Sequence, residues 1–210
     1  ILGNKSGKFS YQAGLRGELT DIRTILRETN ETNPRRYFNL FPSAHFTYDL
    51  PNEHALQLSY SYRVRRPLYN DLSPFVTFSD NRNFFAGNPN LDPEFTHVFE
   101  LGHLWHFEQG SISSAVYYRH TTDKIERIRR VDSNGFSTTF PENILSEDAF
   151  GAEFTGAYQP NQWWKMDLNL NFFRSKADGS NISEDFTADT YSWFARATSR
   201  FMLTNGLDVQ

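Results

Sequence analysis

The sequence has 210 residues, a formal net charge of -4 and no cysteine. The lack of cysteine excludes a disulfide framework, a thiolate metal site and a cysteine nucleophile. The mild negative charge gives no reason to expect a nucleic-acid partner. The mean hydropathy is -0.61, and no apolar run approaches the roughly 20 residues that a membrane-spanning helix needs, so a helical membrane protein is excluded as well.

Strict alternation of apolar and polar residues is the main pattern in the chain. It is clearest from Trp164 to Phe172, where every even position is apolar and every odd position is polar. Because the side chains of a strand point alternately to opposite faces, this segment has one apolar and one polar face. In chain order, the alternation and its breaks predict eight strands, followed by the start of a ninth after residue 206, at about 8–25, 37–50, 56–65, 95–107, 111–131, 136–158, 164–172 and 189–203.

The predicted connections alternate in length. The short ones lie at 51–54, 108–110, 160–162 and 204–206, and the long ones lie at 26–35, 67–94 and 175–188. The exception is 132–135, where Asn134-Gly135 predicts a tight hairpin turn. Bacterial outer-membrane barrels have short periplasmic turns and long extracellular loops. The pattern therefore predicts an all-β fold, an antiparallel transmembrane β-barrel.

Aromatic residues, which make up 16% of the chain, support this interpretation. Several lie beside the predicted short turns, where one membrane interface would be: Trp105, Phe107, Tyr158, Trp163, Trp164 and Phe201. Aromatic girdles at the two interfaces are typical of membrane barrels. The alternative is a soluble protein whose strands pack these rings into a core, but such a protein has no reason to concentrate Trp at one end.

Two proline- and glycine-containing motifs resemble a known family. The strand that ends at Arg65 continues as Arg-Pro-Leu-Tyr-Asn-Asp-Leu-Ser-Pro-Phe to Phe75, and Gly-Asn-Pro-Asn-Leu-Asp-Pro-Glu follows at 87–94. Together with the stretches 38–43 and 162–164, these motifs are similar to the barrel of TonB-dependent outer-membrane receptors, in particular the β-barrel family common in Bacteroidetes. Prolines and glycines at fixed offsets define one loop path rather than general strand character.

The resemblance implies energised import through a 22-stranded barrel that is closed by an N-terminal plug. It also implies partners: outer-membrane lipid and lipopolysaccharide, the plug domain of the same chain, the TonB complex reached through an N-terminal region, and a small-molecule or glycan ligand. We expect residues 1–210 to form a single β-barrel segment, internal to a longer chain and holding about eight of the 22 strands, in which the plug, the TonB box and the C-terminal strands are absent.

The face assignment predicts which polar side chains point into the lumen of such a barrel. They occupy the positions that alternate with the apolar ones on two of the clearest strands: Arg63, Arg65, Lys165, Asp167, Asn169 and Asn171. In the lumen they would contact water or the plug.

The Phe- and Asn-rich part of the long segment 67–94 is the predicted ligand-facing surface. Its candidate residues are Phe78, Asp80, Asn81, Arg82, Asn83, Phe84 and Phe85. The rings would stack on a sugar or a catecholate while the polar groups supply hydrogen bonds. The alternative is that these rings pack the loop onto the mouth of the barrel.

No catalytic, cofactor or metal site is predicted. His103 and His106 are three apart and face opposite ways on a strand, whereas His97 and His103 share a face but lie about 20 Å apart. No pair of carboxylates has the spacing of an acid/base site. The basic end of the fifth predicted strand, with Lys124, Arg127, Arg129 and Arg130, suits lipopolysaccharide phosphates or an anionic ligand, or is simply solvated.

The sequence thus predicts part of the outer-membrane barrel of a TonB-dependent transporter, not an enzyme, that imports a scarce nutrient such as a ferric siderophore or a glycan. Two alternatives stay open at this point. One is a soluble, secreted all-β carbohydrate-binding module, and the other is an outer-membrane adhesin or porin.

Overall fold

The computed structural model describes residues 1–26, 31–78, 80–203 and 207–209, and it consists almost entirely of β-structure. A helix of one turn, α1 (Tyr69–Leu72), lies between the fourth and fifth strands; within the described ranges no helix is long and apolar enough to span a membrane. The strands are β1 (Leu2–Ser6), β2 (Phe9–Leu26), β3 (Glu31–Asp49), β4 (His54–Arg65), β5 (Thr77–Phe78), β6 (Asn83–Phe85), β7 (Glu94–Phe107), β8 (Gly110–Val131), β9 (Ser137–Asn161), β10 (Trp164–Asp178), β11 (Thr187–Leu203) and β12 (Leu207–Val209).

The strands form one sheet in the order β1-β2-β3-β4-β7-β8-β9-β10-β11-β12, in which each pairs antiparallel with its neighbour. The short strands β5 and β6 leave this path: they pair with each other, and β6 also runs parallel to the start of β9. The sheet is therefore an antiparallel meander with one long insertion, as the alternation predicted.

The observed strands differ from the predicted ones mainly at their ends. β1 was not predicted; it pairs with β2 through a two-residue turn in which Gly7 has φ +57°, a conformation that costs glycine little. β3 begins at Glu31, and β10 continues to Asp178, so the loops predicted at 26–35 and 175–188 are shorter than expected. Residues 27–30, 204–206 and 210, which include the last predicted short turn, lie outside the described residues.

Apolar side chains line up across one face of the sheet. Directly paired residues form a single row across eight neighbouring strands of the sheet, β2 to β4 and β7 to β11. The row consists of Tyr11, Phe46, Leu58, Leu101, Val116, Ala152, Phe172 and Trp193. Large apolar residues of this face are markedly exposed: Leu101 is 52% and Phe172 is 53% accessible. A soluble protein buries such a surface, whereas a membrane barrel presents it to lipid.

The opposite face is polar and internally hydrogen-bonded. Asn169 donates from its Nδ2 to Glu153 Oε1 at 3.0 Å, and the Tyr117 hydroxyl donates to Asn171 Oδ1 at 3.1 Å. The ring of Tyr117 lies across Gly151, its registered partner, where an added Cβ would come within 2.3 Å of the ring. A glycine is needed at this position because the aromatic ring occupies the space of its side chain.

The hairpin turns show how the strands are inclined. By register, Phe9 at the start of β2 is in line with His103 on β7 and Phe154 on β9, but these two strands continue to Phe107 and Asn161 before they turn. The β1–β2 and β7–β8 turns lie four strand spacings apart in the sheet and four residues apart in level, so the turns are displaced by about one residue for each strand spacing. With roughly 3.3 Å per residue and 4.8 Å between strands, the strands incline about 35° to a line through the turns, which is the tilt of barrel strands.

The pairing of β3 with β4 is shorter than that of the other long strands. Only Ser43–Asp49 of β3 pair with β4, and the pairing stops next to Pro42. On its other side, β3 stays paired with β2 beyond Pro42, as far as Glu31. Proline has no N–H to donate to a ladder. Above this point, Arg66 bridges from the end of β4 to Glu18 on β2 at 2.5 Å.

Candidate functional site

The β8–β9 hairpin rises above the rest of the sheet at the end that carries the long loop. β7 pairs with β8 only as far as Thr122, and β10 pairs with β9 only as far as Ser146, whereas β8 and β9 pair with each other up to Val131 and Ser137. We call this protruding part, residues 123–145, the tower. The predicted turn at its tip is present: Gly135 has φ +81°, and Asp132 Oδ1 accepts hydrogen bonds from two backbone N–H groups of the turn.

The segment 67–93 folds back against the tower. Near the tip of the tower, the backbone N–H of Ser137 donates to Arg82 O at 2.8 Å, and the N–H of Ala86 donates to Thr139 O at 3.1 Å. β6 thereby becomes a parallel neighbour of β9. The long connection predicted from composition is thus a folded layer and not an open loop.

The Gly-Asn-Pro motif fixes this layer at the C-terminal end of α1. The N–H groups of Gly87 and Asn88 donate to Ser73 O and Asp71 O at 2.9 and 2.6 Å. A Cβ added to Gly87 would lie 2.2 Å from Ser73 O, so only glycine lets the two backbones approach this closely. The Asn88 side chain then donates to Pro141 O on β9 at 3.2 Å. The motif is therefore architectural.

A small core lies between the layer and the tower. Leu91, Pro141 and Ile144 are fully buried in it. Asn143 accepts a hydrogen bond from the Asp92 N–H at 2.8 Å and donates to the carbonyl oxygen of Asp92 at 3.0 Å. Buried apolar side chains and satisfied backbone groups together hold the layer in one position.

The end of the motif carries a buried carboxylate. Glu94 is 6% exposed; its two oxygens accept hydrogen bonds from the Arg65 guanidinium at 2.8 and 2.6 Å, and Oε1 also accepts the Ile125 N–H at 2.6 Å. Glu94 thus joins β4, β7 and the tower. Arg65, which is predicted to face the lumen, lies on the same face of β4 as Arg63, and its contact with Glu94 forms part of this junction of β4, β7 and the tower.

The predicted ligand-facing residues divide into two groups, of which the first makes contacts within the protein. Asp80 Oδ1 accepts the N–H groups of Arg82 and Asn83 at 2.8 and 2.9 Å. Asn83 Oδ1 accepts hydrogen bonds from the Arg129 guanidinium at 2.9 Å and from the Ser137 hydroxyl at 2.5 Å. The rings of Phe84 and Phe85 contact Phe136 and Arg127. Asn83, Phe84 and Phe85 therefore fasten the layer to the tower, whereas Asp80 orders the turn that precedes them.

The second group faces solvent. Phe78 is 75% accessible, and Asn81 and Arg82 are also exposed. Close to the base of the layer there is a cleft of about 420 Å³. Its polar lining residues are Arg65, Arg66, Asp71, Lys124, Glu126 and Arg127.

Three of the predicted basic residues of β8 are paired with carboxylates, and two of these also lie over aromatic rings. Lys124 contacts Glu126 at 2.8 Å and also Glu147, and Arg127 contacts Asp71 at 3.4 Å. Arg130 lies 3.4 Å from Glu142 and stacks over Phe140. Asp71 is nearly buried, but the side chains of Arg127 and Arg130 remain 64% and 61% exposed, so both guanidinium groups can also meet an anion from solvent.

The remaining residues predicted to face a lumen lie on the polar face. Arg63 donates to the Ser61 hydroxyl at 3.0 Å, and Lys165 lies 3.5 Å from Asp167. Asn169 and Asn171 make the contacts to Glu153 and Tyr117 given above.

The structure brings together one histidine pair that the sequence did not indicate. His54 Nδ1 and His103 Nε2 are 3.1 Å apart, and His54 also stacks on Trp105. The pair depends on the register of β4 with β7, which alternation cannot supply. In the described parts of the chain, no three or more His, Asp or Glu side chains are grouped so that they could hold a metal ion.

The whole sequence, residues 1–210, matches the model of a protein family described as the outer membrane protein beta-barrel family. The chain belongs to this family. Its members are outer-membrane barrels, so the antiparallel transmembrane β-barrel and the bacterial outer-membrane location predicted from the sequence are confirmed. The soluble carbohydrate-binding module is excluded by the same match and by the exposed apolar face.

The structure of this family member is similar to solved structures of transporters and receptors. The copper transporter OprC has 14% sequence identity and a TM-score of 0.62, and the alignment covers 96% of this chain and 38% of OprC. The siderophore receptor PirA from Pseudomonas aeruginosa has 14% identity and a TM-score of 0.55, with 95% of this chain and 44% of PirA covered. The FrpB iron transporter from Neisseria meningitidis has 14% identity and a TM-score of 0.63, with 97% of this chain and 30% of FrpB covered. The chain spans less than half the length of each of these proteins, and at this identity the likeness shows the shared fold. A comparison with functionally curated proteins returns no match.

Proposed function

We propose that this segment forms part of the barrel of a TonB-dependent transporter that imports a scarce nutrient across the outer membrane. The observation that carries the proposal is the full-length family match, combined with superposition of nearly the whole chain on transporters and receptors for copper, siderophore and iron. In this proposal the segment supplies about ten strands of a wall of 22, and a plug domain and a TonB box lie elsewhere in the protein.

The polar face would line the lumen and contact water and the plug. Its hydrogen-bonded pairs, such as Asn169–Glu153 and Tyr117–Asn171, suit a surface that packs against a polar domain without burying unpaired groups. The short turns would then lie in the periplasm, and the tower would rise into the medium.

The exposed end of the layer would meet the ligand. Phe78 offers an open ring face, and Asn81 and Arg82 offer donors beside it, which suits a glycan or a catecholate-bearing ferric siderophore. Asn83, Phe84 and Phe85 would act indirectly, because they hold this surface against the tower, and Asp80 would act indirectly by ordering the turn that carries Arg82. The exposed arginines 127 and 130 would favour an anionic ligand or lipopolysaccharide phosphates.

Uptake by cells that carry the full-length gene tests the proposal. Candidate nutrients are ferric siderophores, copper and oligosaccharides, and the measurement is accumulation of labelled nutrient with and without an uncoupler that collapses the proton gradient. A TonB-dependent transporter stops accumulating its nutrient when the gradient collapses. Uptake that is unchanged by the uncoupler and by deletion of the TonB gene would identify a passive porin instead.

Substitutions in the layer then test the ligand surface. Phe78→Ala and Arg82→Ala should weaken ligand binding to detergent-solubilised receptor by about tenfold or more, since each removes a principal contact. Lys8→Ala, at an exposed turn on the opposite end of the sheet, is the matched control and should bind normally. Equal binding by all three variants would exclude this surface.

A further inference from the structure

His54 and His103 form a polar pair on the apolar face of the sheet. The registered partner of His103 is Leu56, two residues after His54, so the two histidines are diagonal neighbours on the adjacent strands β4 and β7. By alternation they share the face of Leu58 and Leu101, which is the lipid-facing one. Diagonal neighbours on paired strands lie within reach of aromatic side chains, and here the two rings contact each other.

The pair lies at the end of the sheet that carries the short turns. His54 is the first residue of β4 and directly follows a tight turn in which Asn52 and Glu53 have φ of 59° and 61°. The ring of Trp105 stacks on His54 with 5.2 Å between the ring centroids, and Trp concentrates where hydrocarbon meets water. Because the short turns of outer-membrane barrels are periplasmic, water and dissolved ions of the periplasm reach this half-buried pair.

The two facing nitrogens have the spacing of two ligands of one metal ion. His54 Nδ1 and His103 Nε2 are 3.1 Å apart. Because imidazole nitrogens bind a metal such as zinc at 2.0–2.1 Å, two neighbouring ligands of a square-planar or tetrahedral ion lie about 2.9–3.4 Å from each other. In the free pair, one of these nitrogens donates its proton to the other. When that proton moves to the far nitrogen of the same ring, both facing nitrogens offer lone pairs.

The two imidazoles select a late transition-metal ion. Imidazole suits Cu²⁺, Ni²⁺ and Zn²⁺, among which Cu²⁺ binds a given set of nitrogen ligands most tightly. Mg²⁺ and Ca²⁺ require oxygen ligands instead. Among the residues that the structure describes, no third histidine or carboxylate completes a group of three around this pair. Water from the periplasm would therefore fill the remaining positions on the ion.

We propose that His54 and His103 form a two-histidine site for a divalent late transition-metal ion, with Cu²⁺ as the preferred ion. Each strand supplies one ligand, so the bound ion cross-links β4 to β7 beside the periplasmic turn. The site lies on the lipid-facing side of the sheet and therefore outside the lumen. It is separate from the path of a transported nutrient and independent of which nutrient that is.

Copper binding to the full-length protein in detergent tests the site, with Cu²⁺ alone as the probe in a buffer that does not coordinate it. Electron paramagnetic resonance should show one Cu²⁺ with the hyperfine splitting of two imidazole nitrogens. His54→Gln and His103→Gln should each abolish this signal and lower the affinity by at least about tenfold, because loss of a group that merely orients a metal ligand already costs this much.

His106→Gln is the matched control. His106 is an exposed histidine three residues from His103 on the same strand, and it therefore lies on the opposite face of the sheet. This variant should bind Cu²⁺ like the parent protein, and heat-modifiable migration on gels establishes that each variant is folded before binding is compared.

Equal copper affinity in His54→Gln, His103→Gln and the parent would overturn the site, as would an equal loss in His106→Gln. A competition on the parent protein gives a second test that needs no variant. Excess Mg²⁺ should leave the two-nitrogen signal unchanged, whereas displacement of Cu²⁺ by Mg²⁺ would show binding to oxygen ligands and would overturn the assignment.

Discussion

Asn169 donates a hydrogen bond to Glu153 across the polar face of the sheet, while Leu168, its neighbour in sequence, lies on the apolar face in register with Gly156 and Ala197. Adjacent residues of one strand thus meet two different solvents. A charged side chain is therefore unfavourable at Leu168 but tolerated at Asn169, and the free-energy cost of a charge at each position tests the assignment of the two faces.

A charge at Leu168 should be far more costly than a charge at Asn169. Leu168 lies four residues above the turn that opens β10, near the middle of the apolar band, so Leu168→Arg should lower the free energy of unfolding in bilayers by about 2–4 kcal/mol. Asn169→Arg places its guanidinium beside Glu153 and should cost much less. Urea unfolding in phospholipid vesicles measures both, and equal costs would refute the assignment.

The Gly87→Ala substitution should loosen the layer without unfolding the wall. Its methyl would collide with the carbonyl oxygen of Ser73, and overpacking of this kind costs about 1–3 kcal/mol. We expect faster proteolysis within residues 67–93 at unchanged heat-modifiable migration. Gly102→Ala, whose added Cβ meets its neighbours at 3.7 Å or more, is the control. Identical proteolysis of both variants would show that the motif has no such steric role.

The Arg65–Glu94 pair should respond unequally to loss of either partner. Arg65→Met leaves the buried carboxylate with the Ile125 N–H as its hydrogen-bond donor and should destabilise the junction by roughly 1–3 kcal/mol. Glu94→Gln keeps an acceptor for Ile125, and the exposed Arg65 becomes hydrated, so its cost should be smaller. Hydrogen exchange at the Ile125 amide reports on the junction. A larger effect of Glu94→Gln would contradict this account.

The β5–β6 turn should open in acid. A hydrogen bond from the Arg82 backbone N–H, and further ones from Asn83, hold the pKa of Asp80 below its ordinary value of 3.8. The pKa of Asp80 is lower in the folded than in the unfolded protein. The ionised carboxylate therefore stabilises the turn fully when the pH is above the ordinary value, and this stabilisation is lost as the pH falls below that value and through the folded-state pKa. Amide exchange at Arg82 and Asn83 should therefore accelerate in that range. Asp80→Asn, which keeps an acceptor oxygen but does not titrate, should remove the pH dependence, and a persistent acid effect in that variant would contradict the assignment.

Much of the wall could be predicted from the sequence, because alternation is a local consequence of strand geometry. The segment 164–172 shows its two faces without reference to any other part of the chain. Strand ends were less predictable: residues 31–34 are polar and include Pro34, yet they extend β3 because β2 is available as a partner. Pairing supplied by a neighbouring strand overrides local composition.

The layer and the ligand surface depended on contacts that are distant in sequence. The resemblance identified the Gly-Asn-Pro motif, but only the structure shows that Gly87 packs on Ser73 and that Asn88 reaches Pro141. Asp80 and Asn83 look like ligand contacts in the sequence because polar groups beside Phe suit a binding site. Asp80 instead accepts hydrogen bonds from Arg82 and Asn83 in its own turn. The partners of Asn83, Arg129 and Ser137, lie about 50 residues away in the tower, and local patterns cannot show this pairing.

Spin-label accessibility along β10 is the most direct test of whether this chain is a membrane wall with one lipid-facing and one aqueous face. The chain has no cysteine, so single cysteines introduced at positions 165 to 171 can each be labelled without background from it and measured in lipid vesicles. One lipid-facing and one aqueous face predict a period of two, with oxygen collisions highest at Met166, Leu168 and Leu170 and collisions with a water-soluble nickel chelate highest at the odd positions. Equal accessibility at Leu168 and Asn169, or nickel access at both, would contradict it.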